Sequence, residues 1–496
     1  MNLRHFILSF ALSAVFCGTA AASPADSVAT AGASPKEAVY SYGVPLTLDD
    51  CLRIALSVSP TVKVADMEIT RVDYSKKNAL AELLPQISFG GQYNRMLAKQ
   101  VAYMNMSGFG GMGEGNNSGS GDNGSDPSGD SGETTPETPA AKAGQRGIKM
   151  GLDNSFQMGF SASMPLVAPQ LWASMKLSDA QILQAVEQAR ASRLDLIAQV
   201  KKAYYTLLLA KDSKKVIQES YDMAALTYDI YSKRFAAGDA SEYDVLRTSV
   251  AMKNVEPQLL QADIAIRQAR LQLMLLMGVD ARLDYEFAGE LSAYEKTMYD
   301  DVMALPTDYS QNTQLIQNTL AQNTLDQAVR VNKMAWYPTL ALTASYNWTS
   351  SSDGSPFKNF RWNPYSVVGL NLSIPLFTGG RRHNNIKMAQ IQATENMLQR
   401  ENIEHNVSMQ AKLAVDNIHL NVRQIASCAE SVKQADRAYN IMSQSFDIGA
   451  ASYLNLRDSE LALTQSRLTY FQAIYNYLVA TNDLELLLGT ADTGTK

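Results

Sequence analysis

Arg234–Thr248 reads RFAAGDASEYDVLRT, and Ser445–Ser459 reads SFDIGAASYLNLRDS. Each carries Phe-x-x-Gly, a bend of small residues and then a Leu-Arg pair, with long helical sequence on both sides. The two stretches lie 211 residues apart. Gly238 and Gly449 stand where a helix ends in the left-handed backbone region that glycine tolerates. A corner made twice at a fixed offset points to an internal repeat, on which the rest of the chain can be aligned.

After each corner the chain returns in a seven-residue pattern. Val245, Met252, Val255, Leu259, Ala262, Ile266, Ala269, Leu273 and Leu276 step by threes and fours, apart from one longer step across Thr248. Adding 211 gives Leu456, Leu463, Ser466, Tyr470, Ala473, Tyr477, Ala480, Leu484 and Leu487, and the two series end at Gly278 and Gly489. Such a seam predicts helices paired as in a coiled coil. Pro257 interrupts the first series and predicts a kink. Before each corner the spacing predicts one very long helix, from about Leu171 to Phe235 and from about Arg381 to Phe446. At 1.5 Å per residue each would reach roughly 100 Å.

Further upstream the period falls to two. Ile87, Phe89, Gly91 and Tyr93 alternate with polar residues, as do Phe156, Met158, Phe160, Ala162 and Met164. The second copy alternates through Leu340, Leu342, Ala344, Tyr346 and Trp348, then Val368, Leu370, Leu372 and Ile374. Each is a strand with one apolar face. The first hairpin, 86–165, carries a Gly/Ser-rich loop at 107–147 that the second, 338–377, lacks. Ahead of the first hairpin, Thr47 with Asp50 forms a capping box that opens a helix, and a second helix follows from about Thr61 to Leu84.

Composition narrows the function classes. Charged residues are 19% of the chain and the net charge is −6, so the basic footprint of a nucleic-acid binder is missing. Three cysteines and four histidines supply neither a disulfide framework nor a His/Cys metal centre. Residues 1–22 have the charge, apolar core and small-residue end of a secretory signal; processing at Cys17 is disfavoured by the bulky Phe16 before it. Residues 23–43 read as a flexible lead. No apolar run long enough for a membrane-spanning helix follows. Gly108–Gly113 fits a dinucleotide fingerprint but lacks the flanking strand and helix. Met104, Met106 and Met112 could suit a soft metal but read more simply as incidental. No catalytic constellation and no cofactor site emerges.

The ordered set of elements resembles the TolC-like outer-membrane efflux factor family. Leu46-Thr47-Leu48-Asp49-Asp50 with Ala55-Leu56, Ser373-Ile374-Pro375-Leu376-Phe377 with Gly379-Gly380, and the two corners carry the resemblance. It spans about Val44 to Gly489. The first hairpin departs from it by leaving through Pro165-Leu166-Val167-Ala168-Pro169, without a Gly-Gly pair.

The resemblance implies a mainly α protein with a transmembrane β-barrel, built as two repeats, 44–278 and 310–489, around an equatorial connector at 279–309, with a tail at 490–496. It implies a homotrimer whose twelve strands form one barrel continued by a periplasmic helical tunnel. It also implies a periplasmic adaptor protein, an inner-membrane pump, most often of the resistance–nodulation–division type, and outer-membrane lipid as partners. The corners, 235–246 and 446–456, become the far tips. Phe235, Ala237, Gly238, Leu246, Phe446, Ile448, Gly449 and Leu456 are then docking candidates, being apolar or turn-forming residues on a tip in water. Asp244, Arg247, Asn455, Arg457 and Asp458 are candidates for a gate, with the two arginines locking it by ion pairs, or else simply a solvated face.

Physics favours the barrel separately. Four strands of about ten residues match a tilted bilayer span, yet four cannot close, and an open edge is not tolerated in lipid. Tyr93, Tyr346, Trp348, Trp362 and Tyr365 are expected on the outward face at the membrane interface, with ordinary sheet packing as the alternative. The leading function is the exit duct of a tripartite efflux assembly expelling small molecules. The same duct serving an ABC-driven protein secretion system, and a periplasmic coiled-coil scaffold without a pore, are the rivals.

Overall fold

The computed structural model describes residues 45–103, 147–283, 285–295, 308–353 and 361–490. The signal, the lead, nearly all of the Gly/Ser-rich loop with its glycine and methionine motifs, and part of the connector lie outside the described residues.

Helix α1 (Leu48–Val58) opens with the expected capping box: the Asp50 amide donates to Thr47 Oγ1 at 3.4 Å and the Thr47 amide to Asp50 Oδ2 at 3.3 Å. Helix α2 (Pro60–Ala81) starts on a proline, which needs no amide partner in a first turn. Strand β1 (Gln86–Arg95) follows, then a short hairpin β2 (Gln100–Tyr103) and β3 (Gly147–Met150), then β4 (Asn154–Val167). Alternation read from sequence had not extended to β2 and β3. Helix α3 (Pro169–Ala236, 68 residues) runs to the first corner and α4 (Glu242–Met277) returns. It runs on through Pro257, whose ring removes one amide bond without ending the helix.

The second copy has α5 (Thr313–Met334), β5 (Thr339–Ser352), β6 (Asn363–Ser373), α6 (Arg381–Asp447, 67 residues) and α7 (Tyr453–Leu488). Among the described residues it has α5 where the first copy has two helices, so the helix pair of the first copy is not doubled. In place of a doubled α1, the connector supplies a bridge between Leu46 and Phe287 and one 3-10 turn, Leu291–Tyr294.

The strands form one antiparallel sheet in the order β1-β4-β5-β6. The helices keep that order: α2 packs on α3, α3 on α5, and α5 on α6, while further down α4, α3, α7 and α6 lie side by side. The short helices are stacked end to end. Gly278, at φ +71°, closes α4 against the start of α2, where a Cβ would meet Pro60 Cδ at 2.9 Å. Gly489, also at φ +71°, closes α7 against α5, where a Cβ would lie 2.1 Å from the Gln311 carbonyl oxygen. Asn312 caps α5 with its side-chain oxygen and donates through Nδ2 to the Leu487 carbonyl at 2.6 Å. Each pair thus acts as one long rod beside α3 or α6.

The core sits at these junctions. Ile197, Leu207, Leu208, Leu273, Met277, Ile418, Ile474 and Leu488 are fully buried there, each worth about 1.5–3 kcal/mol of apolar burial. Thr248 occupies the gap in the heptad series, buried, with its hydroxyl donating to the Asp244 and Val245 carbonyls at 3.0 Å. Cys51 is buried and Cys428 half-buried, both free; burial pushes the Cys51 thiol up to about 12. Asp212 of α3, buried beneath the connector, accepts from the Leu291 amide at 2.9 Å, and burial raises its carboxyl above the usual range.

Candidate functional site

Two regions carry the chemistry: the sheet and the paired corners at the opposite end of the helices. In the sheet, cross-strand pairing sets the apolar residues of all four strands in register. Ile87 faces Ala162, Ala344 and Val368 in turn; Phe89 faces Phe160, Tyr346 and Ser366. Ring contacts tie this face together, at 4.9 Å between the Phe89 and Phe160 centroids, 4.5 Å for Tyr93 and Phe156, and 4.7 Å for Tyr346 and Trp348. The other face is polar: Ser88 and Ser161 hydroxyls bond at 2.7 Å, and Ser345 continues the row.

This register corrects one expectation. Tyr365 pairs with Asn347, which pairs in turn with Gly159, so it lies on the polar face, opposite Trp348 and Tyr346. Trp362 stands just before β6, outside the ladder. Tyr93, Tyr346 and Trp348 lie on the apolar face, toward the end of the sheet remote from the helices; Tyr93 also donates to Asn154 Oδ1 at 2.8 Å. At that same end Lys99 bridges Asp353 at 2.8 Å and Asp153 at 3.1 Å, and the two carboxylates hold its ammonium pKa up.

Sequence reading missed the other rim. Trp172, Trp336, Tyr337, Leu376 and Phe377 are all exposed where the strands meet the helices, with Phe377 at 88%. The signal was available: bulky apolar side chains within a few residues of each proline that separates strand from helix. Arg382 lies over the Trp336 ring at 5.7 Å and donates to the Pro375 carbonyl at 3.0 Å. The sheet therefore carries an apolar face between two aromatic rims, the pattern of a barrel wall in lipid.

At the far end the two corners pack on one another. Tyr231 of α3 lies 6.2 Å from Phe446 and 5.7 Å from Tyr453 between ring centroids. The Arg234 guanidinium sits over Tyr231 at 5.8 Å and over Phe446 at 5.7 Å, and that of Arg247 over Tyr453 at 5.3 Å. Burial raises the phenol pKa of Tyr231 and Tyr453. Phe446, 6% exposed, is therefore buried in the contact between corners, and Leu456 is buried as well, so neither is free for docking. Phe235, the repeat partner of Phe446, is exposed, as are Ala237, Gly238, Leu246, Gly449 and Ile448, the last at 81%.

The gate candidates separate in the same way. Asp244 is spent in a capping box, accepting from the Ser241 hydroxyl at 2.6 Å and amide at 3.3 Å. Asn455 lends its amide to Ser452 Oγ, and Asp458 is exposed. Arg457 pairs with Glu460 of its own helix at 2.5 Å, largely buried on both sides. Ser220 of α3 also donates to Glu460 Oε1, at 3.1 Å. Glu460 escaped the sequence reading because nothing local marks a glutamate as buried. Within one protomer, then, Arg457 is held by an intrahelical pair and Arg247 by an aromatic ring, and the expected ion pairs between these candidates are replaced.

Among the described residues there is no cluster of metal-ligating groups, and no helix is long and apolar enough to cross a membrane. The chain matches the family model described as "Outer membrane efflux protein" over residues 51–279 and 309–490. It is 25% identical over 324 residues to the cobalt-zinc-cadmium resistance protein CzcC of Cupriavidus metallidurans, covering 64% of this chain and 73% of that one. With outer membrane protein TolC of Vibrio cholerae the identity is 21% over 334 residues, covering 67% and 76%. The crystal structure of the Campylobacter jejuni CmeC outer membrane channel superposes with a TM-score of 0.66 at 17% identity, covering 90% of this chain and 87% of that one.

Removing Arg457 would strand a buried carboxylate. Arg457→Ala is expected to cost about 3–5 kcal/mol, whereas Asp458→Ala, on the exposed neighbour, should stay within about 0.5 kcal/mol. Thermal unfolding of the two purified variants, side by side, checks this; equal melting temperatures would refute the buried pair.

Proposed function

Because the chain belongs to the outer membrane efflux protein family, outer-membrane channels whose helical part stands in the periplasm, we propose that three copies close into one duct and complete an efflux assembly for small molecules. The observation that carries this is the pair of open sheet edges. β1 and β6 each have a neighbour on one side only, and their apolar face belongs in lipid. In hydrocarbon such edges have no water to bond, so β6 of one copy pairs with β1 of the next. The family supports three as the number that closes.

The helices support the same closure. Outside its seam with α3, helix α4 carries a second exposed apolar stripe that includes Leu260, Ile264, Leu271 and Leu275. Helix α6, at the opposite flank, exposes Leu413, Leu420 and Ile441 at heptad spacing. Two unpartnered apolar stripes on opposite flanks of one protomer bury each other when copies join side by side.

Docking of a periplasmic adaptor is assigned to what stays exposed at the tips: Phe235, Ala237, Leu246 and Ile448 around the turns of Gly238 and Gly449. A pump in the inner membrane supplies the energy, as the family resemblance implies. Cargo enters where the tips converge, and the Arg247–Tyr453 and Arg234–Phe446 contacts hold the corners together in the resting state. Export of a protein by the same duct is the second reading, which the neighbouring genes would separate.

Ile264→Glu combined with Leu271→Glu should disperse the trimer to monomers on size-exclusion chromatography in detergent; an unchanged elution volume would remove the stripe from the interface. Ala237→Asp with Ile448→Asp should abolish export while unheated gel migration of the trimer persists. Full export by that double variant would refute docking at the tips. Arg247→Ala, which frees the corner from Tyr453, should raise single-channel conductance in planar bilayers, and identical currents would take the contact out of the gate.

A further inference from the structure

The chain is acidic overall, with a net charge of −6, yet the helical turns that adjoin the sheet are cationic. Lys176 stands in the second turn of α3, Arg330 and Lys333 in the last turns of α5, and Arg381, Arg382 and Lys387 in the first turns of α6. All but Arg382 are exposed, and Arg382 is half-buried on Trp336. Acids are fewer in the same band: among the described residues Asp73, Glu82, Asp179 and Asp326, of which Asp179 is taken by Lys76 at 2.8 Å and Asp73 by Lys77 at 2.9 Å. The start of α6 is a costly place for arginines, because a helix dipole disfavours cations in its first turn. Its cap, Gly380 at φ +80°, brings no side chain to offset them.

These cations lie beside the aromatic rim of Trp172, Trp336, Tyr337 and Phe377, which marks where hydrocarbon ends. We propose that they form a collar that binds the anionic headgroups of phospholipids in the periplasmic leaflet. The inference rests on the outer-membrane placement of the sheet and goes beyond it by naming a headgroup preference. Charge complementarity argues for the occupant: a phosphodiester plane at this depth meets a positive band on an otherwise acidic protein. The Arg382–Trp336 stack places one guanidinium at the rim itself, with its fork held by the Pro375 carbonyl.

The test uses the full chain as its assembled trimer, reconstituted in nanodiscs of equal parts phosphatidylglycerol and phosphatidylcholine. After a mild detergent wash, retained lipid is counted by mass spectrometry. The wild type should keep phosphatidylglycerol over phosphatidylcholine by about tenfold, a few cations each favouring the anionic lipid. The triple variant Lys333→Gln, Arg381→Gln, Lys387→Gln, which spares the Arg382 bond to Pro375, should lower that ratio toward one with trimer migration and helical circular dichroism intact. Equal retention by the wild type, or an unchanged ratio in the triple variant, overturns the collar. So does stripping of the retained lipid by inorganic phosphate beyond that caused by sodium chloride of equal ionic strength, which would make the site one for free phosphate. A variant that keeps its lipid ratio but loses export would assign the cations to a protein partner, and also overturns it. A chain that takes up neither lipid would count against the membrane-embedded duct itself, whereas an embedded chain with no preference would count against the collar alone.

Discussion

A backbone amide or carbonyl left open in hydrocarbon costs several kcal/mol, and this one constraint shapes the molecule. The sheet has four strands, too few to seal, and its two outer strands end the ladder within one chain. The helices inherit the order of the strands, so the same two flanks stay open along the whole length. In the proposed trimer, association closes backbone bonds at one end and apolar stripes at the other. The sheet, the helices and the oligomer are thus one problem with one solution.

Length creates a second problem. A rod of 68 residues needs a partner of similar reach, and the return helices have 36. Stacking α4 on α2 and α7 on α5 supplies it, at joints where only glycine fits. The greatest density of buried large side chains lies around those joints, which also receive α1 and the connector. Stiffness is therefore concentrated midway, leaving the far corners to depend on a few aromatic and guanidinium contacts.

Duplication does not make the two corners equivalent. Phe235 and Phe446 occupy the same place in the repeat, yet one faces water and the other fills the contact between corners. Val245 and Leu456 keep the seam in both, while Arg457 and Glu460 give the second corner a buried charge pair that the first does not repeat. The asymmetry follows from placing the two copies side by side, where inner surfaces meet each other and outer surfaces stay exposed. On the proposed reading, docking and gating roles divide along that line, with the exposed residues open to a partner and the buried ones holding the corner shut.

Much of this was legible in the chain itself. Period-two alternation and a seven-residue seam are local patterns, so they survive being read one residue at a time, and they specified the four strands of the main sheet, the long helices, both corners and the repeat. The capping box at Thr47 and the terminal glycines were legible for the same reason. What needed the folded chain was every fact about pairs distant in sequence: that Phe446 and Leu456 are buried, that Ser220 of α3 covers the Arg457–Glu460 pair, and that Gly278 and Gly489 are joints as well as helix ends. Whether a ring or a charge is in water or not depends on which helix lies alongside. No local pattern carries that information, because the neighbour comes from hundreds of residues away.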